Sequence, residues 1–288
     1  TNLTVEIVVV SPATETPVAT AAWPGLDPQP TLVPIGPPVT TLAALSPYIE
    51  KVSKKVTVAA GGETSIAVEC SAGSVVVGGG HYASSTDVVF NVHTKSGNGW
   101  RVYAVSNSGS NVKVGVSALC LHDAVGASTA VVHKQVTVKK SKTAGTILHC
   151  PAGSVITGGG WETEYVDVRV YASYPDTPGW SVKAHNRDGS DHPLHVYAVC
   201  VSGIGGVTTA PSRMASIPTG ASGKMNVACS SKALMTSGGF LAGTGGVLDV
   251  SINSGPMGLG DGWWVYTGKN TAATAKDLVA YATCLGLP

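Results

Sequence analysis

The sequence predicts an all-β protein, built as three tandem β-sandwich-like modules in pseudo-threefold repetition behind an extended Pro-rich N-terminal arm. Three observations carry that reading. The 288 residues include 36 Gly, and only 12% are charged. Val, Thr and Ser dominate where a helical bundle or coiled coil would need Glu, Lys and Leu. Apolar residues alternate in short runs parted by Gly, Ser, Asn and Asp, the pattern of half-buried strands joined by turns. Finally, one series of landmarks recurs three times in the same order, the signature of a repeat architecture.

Each copy opens with a cysteine and a small-residue run: CSAGSVVVGGGH from Cys70, CPAGSVITGGGW from Cys150 and, more loosely, CSSKALMTSGGF from Cys229. Asp-Val follows at Asp87, Asp167 and Asp249. Gly-Trp and a strand come next, at Trp100, Trp180 and Trp263, then an Asn at Asn107, Asn186 and Asn270. Ala-x-Cys closes each copy at Cys120, Cys200 and Cys284. The modules are placed at 51–125, 131–205 and 210–288, after an arm over 1–50. Within the first module, KKVTVAA, TSIAVEC, SVVVGGG, DVVFNVH, GWRVYAV and VKVGVSALC read as successive strands. No long window has a 3.6-residue period; TLAALSPYIEKV (Thr41 to Val52) is expected to form one helical turn at most. DAVGAST and SGIGGVTT read as linkers too short for the modules to move far apart.

The cysteines bracket every copy. Six of them allow fifteen pairings, but the repeat singles out Cys70–Cys120, Cys150–Cys200 and Cys229–Cys284, joining first and last strands. A module of roughly 75 residues buries only about 60% of its extended-chain surface. Closing a loop of about 50 residues would stabilise it by roughly 4 kcal/mol in the chain-entropy model. Six reduced, buried thiols are the alternative; zinc lacks the C-x-x-C or His spacing it requires. Disulfides imply an extracellular, cell-surface or virion-surface location.

The remaining landmarks have a structural and a functional reading. Gly78 to Gly80, Gly158 to Gly160 and Gly238 to Gly239 permit a bulge or a close backbone approach, and no helix or Lys-Ser/Thr follows to make a phosphate loop. Trp100, Trp180 and Trp263 are expected as core anchors packing on the disulfide. The alternative makes them sugar-stacking platforms, one per module, beside Asp87, Asp167 and Asp249. Asn107, Asn186 and Asn270 suit hairpin turns with positive φ.

Residues 1–50 hold nine of the seventeen prolines and no Lys, Arg or His. Ser11 to Pro38 excludes a regular helix or central strand and reads as polyproline-like. Ahead of it, LTVEIVVV places Leu3, Val5, Ile7 and Val9 on one face of a strand that has no partner nearby in sequence. Such a strand needs a sheet edge to complete, on its own body or on another copy.

Chemistry is not evident. G-x-S-x-G and H-E-x-x-H do not occur. His185, Asp188, Asp191, His192 and His195 cluster in AHNRDGSDHPLH and invite a metal, but the other two modules lack the cluster, so it reads as a loop. Glu162 and Glu164, with Asp167 behind them, read as an exposed strand face. No enzyme, cofactor or metal is expected. A net charge of +1 with no polybasic tract argues against nucleic acid, and the short apolar runs argue against a membrane-spanning helix.

The pattern CPAGSVITGGGW, then Gly-Trp with a strand, then Asn and YAVC, resembles Cys-bracketed, Gly/Trp-containing β-repeat modules of secreted bacterial surface proteins and phage virion proteins. The resemblance covers about 56–288 and carries over no site residues. Module three departs from it with Ser237 at the first Gly and a longer Gly-rich stretch around Gly255 to Gly262. The function expected is that of a structural subunit in a filament or surface layer, partnered by copies of itself or another structural subunit through the arm. A phage capsid-decoration or tail protein and a carbohydrate-binding adhesin are the alternatives.

Overall fold

The computed structural model describes residues 46–176, 178–243, 252–257 and 262–286. These contain nineteen strands in three antiparallel sheets, and no helix occurs among the described residues. Module one comprises β1 (Tyr48–Val58), β2 (Glu63–Glu69), β3 (Val75–Ala83), β4 (Val88–Ser96), β5 (Gly99–Ser106) and β6 (Val112–His122). Module two repeats the order with β7 (Ser128–Val138), β8 (Thr143–His149), β9 (Ser154–Glu162), β10 (Val168–Asp176), β11 (Gly179–Asn186) and β12 (His192–Ser202). In module three the first strand is broken into β13 (Val207–Thr209) and β14 (Ser212–Ile217) at Pro211, which has no N–H to give to a ladder. The module continues with β15 (Ser222–Ala228), β16 (Ala233–Ala242), β17 (Ile252–Pro256), β18 (Gly262–Lys269) and β19 (Lys276–Gly286).

The module starts lie slightly ahead of the expected ones. Tyr48 to Val52, read as part of a helical turn and of the arm, is the start of β1, where it pairs with Ala118 to His122 of β6, a partner remote in the chain. The expected arm strand at Leu3, Val5, Ile7 and Val9 lies outside the described residues.

The larger departure concerns how modules relate. Each sends its first, sixth and third strands into one sheet and its second, fifth and fourth into another, so each is indeed sandwich-like. But every sheet runs on into a neighbouring module. Sheet I has the order β1-β6-β3-β17-β18-β15, sheet II β2-β5-β4-β9-β12-β7, and sheet III β13-β19-β16-β10-β11-β8 with β14 also on β19. Sheet I joins modules one and three, sheet II two and one, sheet III three and two. The three modules therefore form a closed cycle rather than beads on a string. The seams are short: His81 opposite Ser254 between β3 and β17, Val92 and His93 opposite Glu162 and Trp161 between β4 and β9, Ala172 and Ser173 opposite Leu241 and Phe240 between β10 and β16.

The disulfides are Cys70–Cys120, Cys150–Cys200 and Cys229–Cys284. Each ties the end of a module's second strand, not its first, to its last strand. Those strands belong to different sheets, so each bond staples one half-sandwich to the other.

The small-residue run explains the close packing, because its three positions serve three different contacts. At the first, Gly78, Gly158 and Ser237 crowd together: a Cβ on Gly158 would meet the Val77 carbonyl and Gly78 Cα, and one on Gly78 would meet Ser237. At the second, a Cβ on Gly79, Gly159 or Gly238 would fall inside the indole of Trp100, Trp180 or Trp263 of the same module. At the third, a Cβ on Gly80, Gly160 or Gly239 would strike the backbone across a seam, at Gly255, His93 or Ser173. The triplet is thus required by approach distance, not by positive φ.

Conformation does decide the turn after each first strand, where Gly61, Ser141 and Gly220 occupy one equivalent left-handed position with φ of 65°, 54° and 80°. Only module two holds a side chain there, at a steric cost. Ser141→Gly should therefore stabilise the oxidised protein by about 0.5–1 kcal/mol in urea melts. Gly159→Val should destabilise it by on the order of 3 kcal/mol through overpacking, whereas Gly109→Ala, with open space around it, should change stability little.

Candidate interaction surfaces

The residues singled out as a glycan platform do not form one. Trp100, Trp180 and Trp263 are 0%, 1% and 0% exposed, each lying on its module's second glycine in the sandwich interior. A sugar cannot reach these rings, and this corrects the platform reading. Two of the indoles are also satisfied: Trp180 Nε1 donates to Ser173 Oγ at 3.0 Å and Trp263 Nε1 to Ser254 Oγ at 2.6 Å. Asp87 and Asp167 are exposed just ahead of the fourth strands, where their carbonyls accept from the Asn107 and Arg187 N–H groups. They serve turns and do not converge on the tryptophans. Asp249 lies outside the described residues.

The Asn landmark is shifted in module one. Asn186 donates through Nδ2 to the Val138 and Ser190 carbonyls and accepts from the Asp188 N–H; Asn270 repeats this with Ile217, Thr274 and Ala272. The position matching them in the ladder is Ser106, whose N–H meets the Gly62 carbonyl as that of Asn186 meets Lys142 and that of Asn270 meets Ala221. Asn107 is one residue beyond. The amides work by tying two turns together, and none of these Asn residues has positive φ.

The polar cluster of module two disperses. His192 hydrogen-bonds Asp188 and stacks on Tyr165 at 3.7 Å, while Lys139 Nζ and the Lys140 N–H donate to the Asp191 carboxylate. The His192 hydrogen bond and then the Gly189 N–H hold Asp188 below the usual carboxylate range, and Lys139 and then Lys140 do the same for Asp191. His185 sits beside Thr143, and His195 is on another sheet. Glu162 ends β9, and Glu164 is exposed in the loop beyond it.

The outward faces differ from sheet to sheet. On sheet I, Tyr82 meets Trp264 edge-on at 6.3 Å with Lys55 Nζ 5.0 Å from the Tyr82 ring. On sheet III, Tyr174 stacks on Tyr281 at 4.7 Å. On sheet II, Glu162 accepts from the Tyr197 hydroxyl at 3.1 Å and pairs with Arg101 at 3.6 Å, and His133 stacks on Tyr197 and His195. This last group was not foreseen; its members lie on four strands, and only register brings them together.

The sheet edges differ too. β1 carries Glu50, Lys51, Lys54 and Lys55; β2 carries Glu63 and Glu69; β7 Lys134; β14 Arg213; β15 Lys224. Such charges blunt an edge against further pairing. β8, TAGTILH, has no Asp, Glu, Lys or Arg, and its Ile147 is 43% exposed. A shallow depression lined by Thr143, Gly145, Ile147, Ser181 and Lys183 runs along it.

Burial, and after it the Glu162 carboxylate, pushes the Tyr197 phenol up to about 12. A phenolate difference titration between the protein and its Tyr197→Phe variant should locate this group near that value, and Glu162→Gln should bring it down toward the ordinary tyrosine range.

No protein-family model matches the chain, and no curated protein matches it.

Proposed function

We propose that the protein is a non-enzymatic structural subunit of an ordered extracellular or surface assembly of the filament or surface-layer type, with its N-terminal arm docking on a neighbouring copy. The coarser part of this rests on what is described above. The body is an all-β, disulfide-stapled unit, and three disulfides point to an oxidising environment. No helix among the described residues is long and apolar enough to cross a membrane.

The observation that carries the finer reading is the contrast between β8 and its counterparts in the other modules, the charged edge strands β2 and β15. An uncharged edge with free N–H and C=O groups accepts an added strand. The stretch from Leu3 to Val10 has one charged residue, Glu6, and alternates Leu3, Val5, Ile7 and Val9. Laid along β8, those four side chains would fall beside Ala144, Thr146 and Leu148, on the side of β8 that faces the sandwich interior. Burying each aliphatic would contribute roughly 1.5–3 kcal/mol before ordering costs. The prolines behind the strand limit the freedom lost when the arm is laid down.

Deleting residues 1–40 should leave thermal unfolding of the body unchanged and abolish or severely weaken assembly, followed by light scattering and electron microscopy. Thr146→Lys on the interior-facing side of the acceptor edge and Ile7→Asp in the arm should each weaken assembly about ten- to hundredfold. Equal assembly by the truncated and full-length chains would refute the proposal.

A further inference from the structure

We propose that His133 and His195 form a two-imidazole site for a divalent transition-metal ion, of the zinc, nickel or copper class, on the outward face of sheet II. The proposal does not depend on the arm or on β8.

The two histidines stand 62 residues apart in the chain, and strand pairing brings them together. β7 runs antiparallel to β12 with His133 opposite Tyr197 and Gln135 opposite His195. Directly opposite residues share a face, and so do their diagonal neighbours two residues on. His133 Nε2 and His195 Nδ1 consequently lie 3.0 Å apart, in rings inclined by 11°. Tyr197 lies alongside, its ring 4.7 Å from that of His133. β7 is the outer strand of the sheet. His133 is exposed and His195 half-buried, so an ion reaches the pair from solvent without displacing backbone.

The chemistry follows from the donor set. A neutral imidazole carries hydrogen on one ring nitrogen and a lone pair on the other. At present one facing nitrogen donates and the other accepts, since two N–H groups aimed at each other would repel. When an ion binds, the donating ring carries its hydrogen on its far nitrogen instead. Both facing nitrogens then give lone pairs to the ion, and no net proton is released. Two nitrogens bound tetrahedrally to zinc at about 2.0–2.1 Å stand about 3.3 Å apart, slightly wider than the present separation. Small side-chain rotations supply the difference. Imidazole suits zinc, nickel and copper, whereas calcium and magnesium take oxygen ligands.

Glu162, opposite His195 on β9, brings negative charge to the same face, where Arg101 and Tyr197 engage it. Among the described residues no three His, Cys, Asp or Glu side chains gather around one point for an ion. The protein therefore supplies two ligands and water fills the remaining positions, which makes the ion exchangeable. Held there, it fastens the edge strand β7 to β12.

The internal repeat separates this pair from the needs of the fold. The place of His133 is taken by Ser53 in module one and Ser212 in module three, which face Ser117 and Tyr281 as His133 faces Tyr197. The place of His195 is taken by Gly115 and Val279. Two modules thus build the same ladder with no imidazole at either position. In the sequence the pair is obscured, because His195 shares a polar stretch with His192, and His192 is taken by Asp188.

The repeat also supplies the control substitutions. His133→Ser and His195→Val install what module three carries at those places. Titration of the oxidised full-length protein, free of any affinity tag, with ZnCl2 or NiCl2 at pH 7.5 should show one ion per chain, which excess CaCl2 does not displace. Each substitution should abolish this binding, and His149→Ala, at an exposed histidine of β8, should leave it intact. Zinc should raise the urea midpoint of the parent and not of either variant. Absence of binding, displacement by calcium or undiminished binding by His133→Ser would overturn the site. Should a variant fail to fold, substoichiometric NiCl2 added to the parent decides. It should broaden the ring resonances of His133 and His195 ahead of those of the other six of the eight histidines, and even broadening would refute the proposal.

Discussion

The body depends on one contact, made three times: the indole of a buried tryptophan lying directly on the backbone of its own module's second glycine. Trp100, Trp180 and Trp263 fill their sandwiches only because Gly79, Gly159 and Gly238 present no side chain. The strand that carries that glycine is the strand that also reaches inward and across the seam. Its neighbouring small residues allow Gly78, Gly158 and Ser237 to meet, and allow Gly80, Gly160 and Gly239 to lie against a neighbouring module's backbone. Local core packing and the joining of modules are therefore set by one tripeptide. Enlarging any of its positions would disturb both.

This constraint places the disulfides in context. Three-stranded half-sheets of small β-branched residues bury little surface on their own, and a module of this size is marginal. The chain gains stability in two further ways: each half-sheet is extended by a neighbour's, and each half-sandwich is covalently tied to its mate. The covalent ties act within modules, between sheets; the seams act between modules, within sheets. Neither duplicates the other. The seams, with one or two residue pairs apiece, are the weaker joints.

Most of the local structure was legible in the sequence because it depends on near neighbours. The repeat, the strand runs and the cysteine pairing all follow from period and spacing. The tryptophans were legible as anchors, though not that they lie on glycines. What stayed hidden depends on partners remote in the chain. Nothing near Val75–Ala83 announces that β3 will pair with Ile252–Pro256, since an uncharged strand of small residues suits many partners. The Asn landmark misled by one residue because a Ser at 106 makes a smaller version of the same turn contact, while an unrelated Asn stands next to it. The sheet II cluster of Arg101, Glu162, Tyr197, His133 and His195 arises from cross-strand register alone.

Pseudo-symmetry makes the exceptions informative. Where three copies share a backbone, a residue present in only one of them is not explained by the fold, because two neighbours achieve the same fold without it. Ser141 at a left-handed position, His93 in place of a serine and the uncharged β8 edge are such exceptions. The first is a local cost with no compensating contact in the structure. The other two sit at places where the shared architecture has a joint, one between modules and one at an open sheet edge. A scaffold whose copies were interchangeable would have three equivalent faces and three equivalent edges, and could direct no neighbour to a particular side. Differences at the joints therefore make the three seams and the three equivalent edges of this body chemically distinguishable, although the backbone repeats.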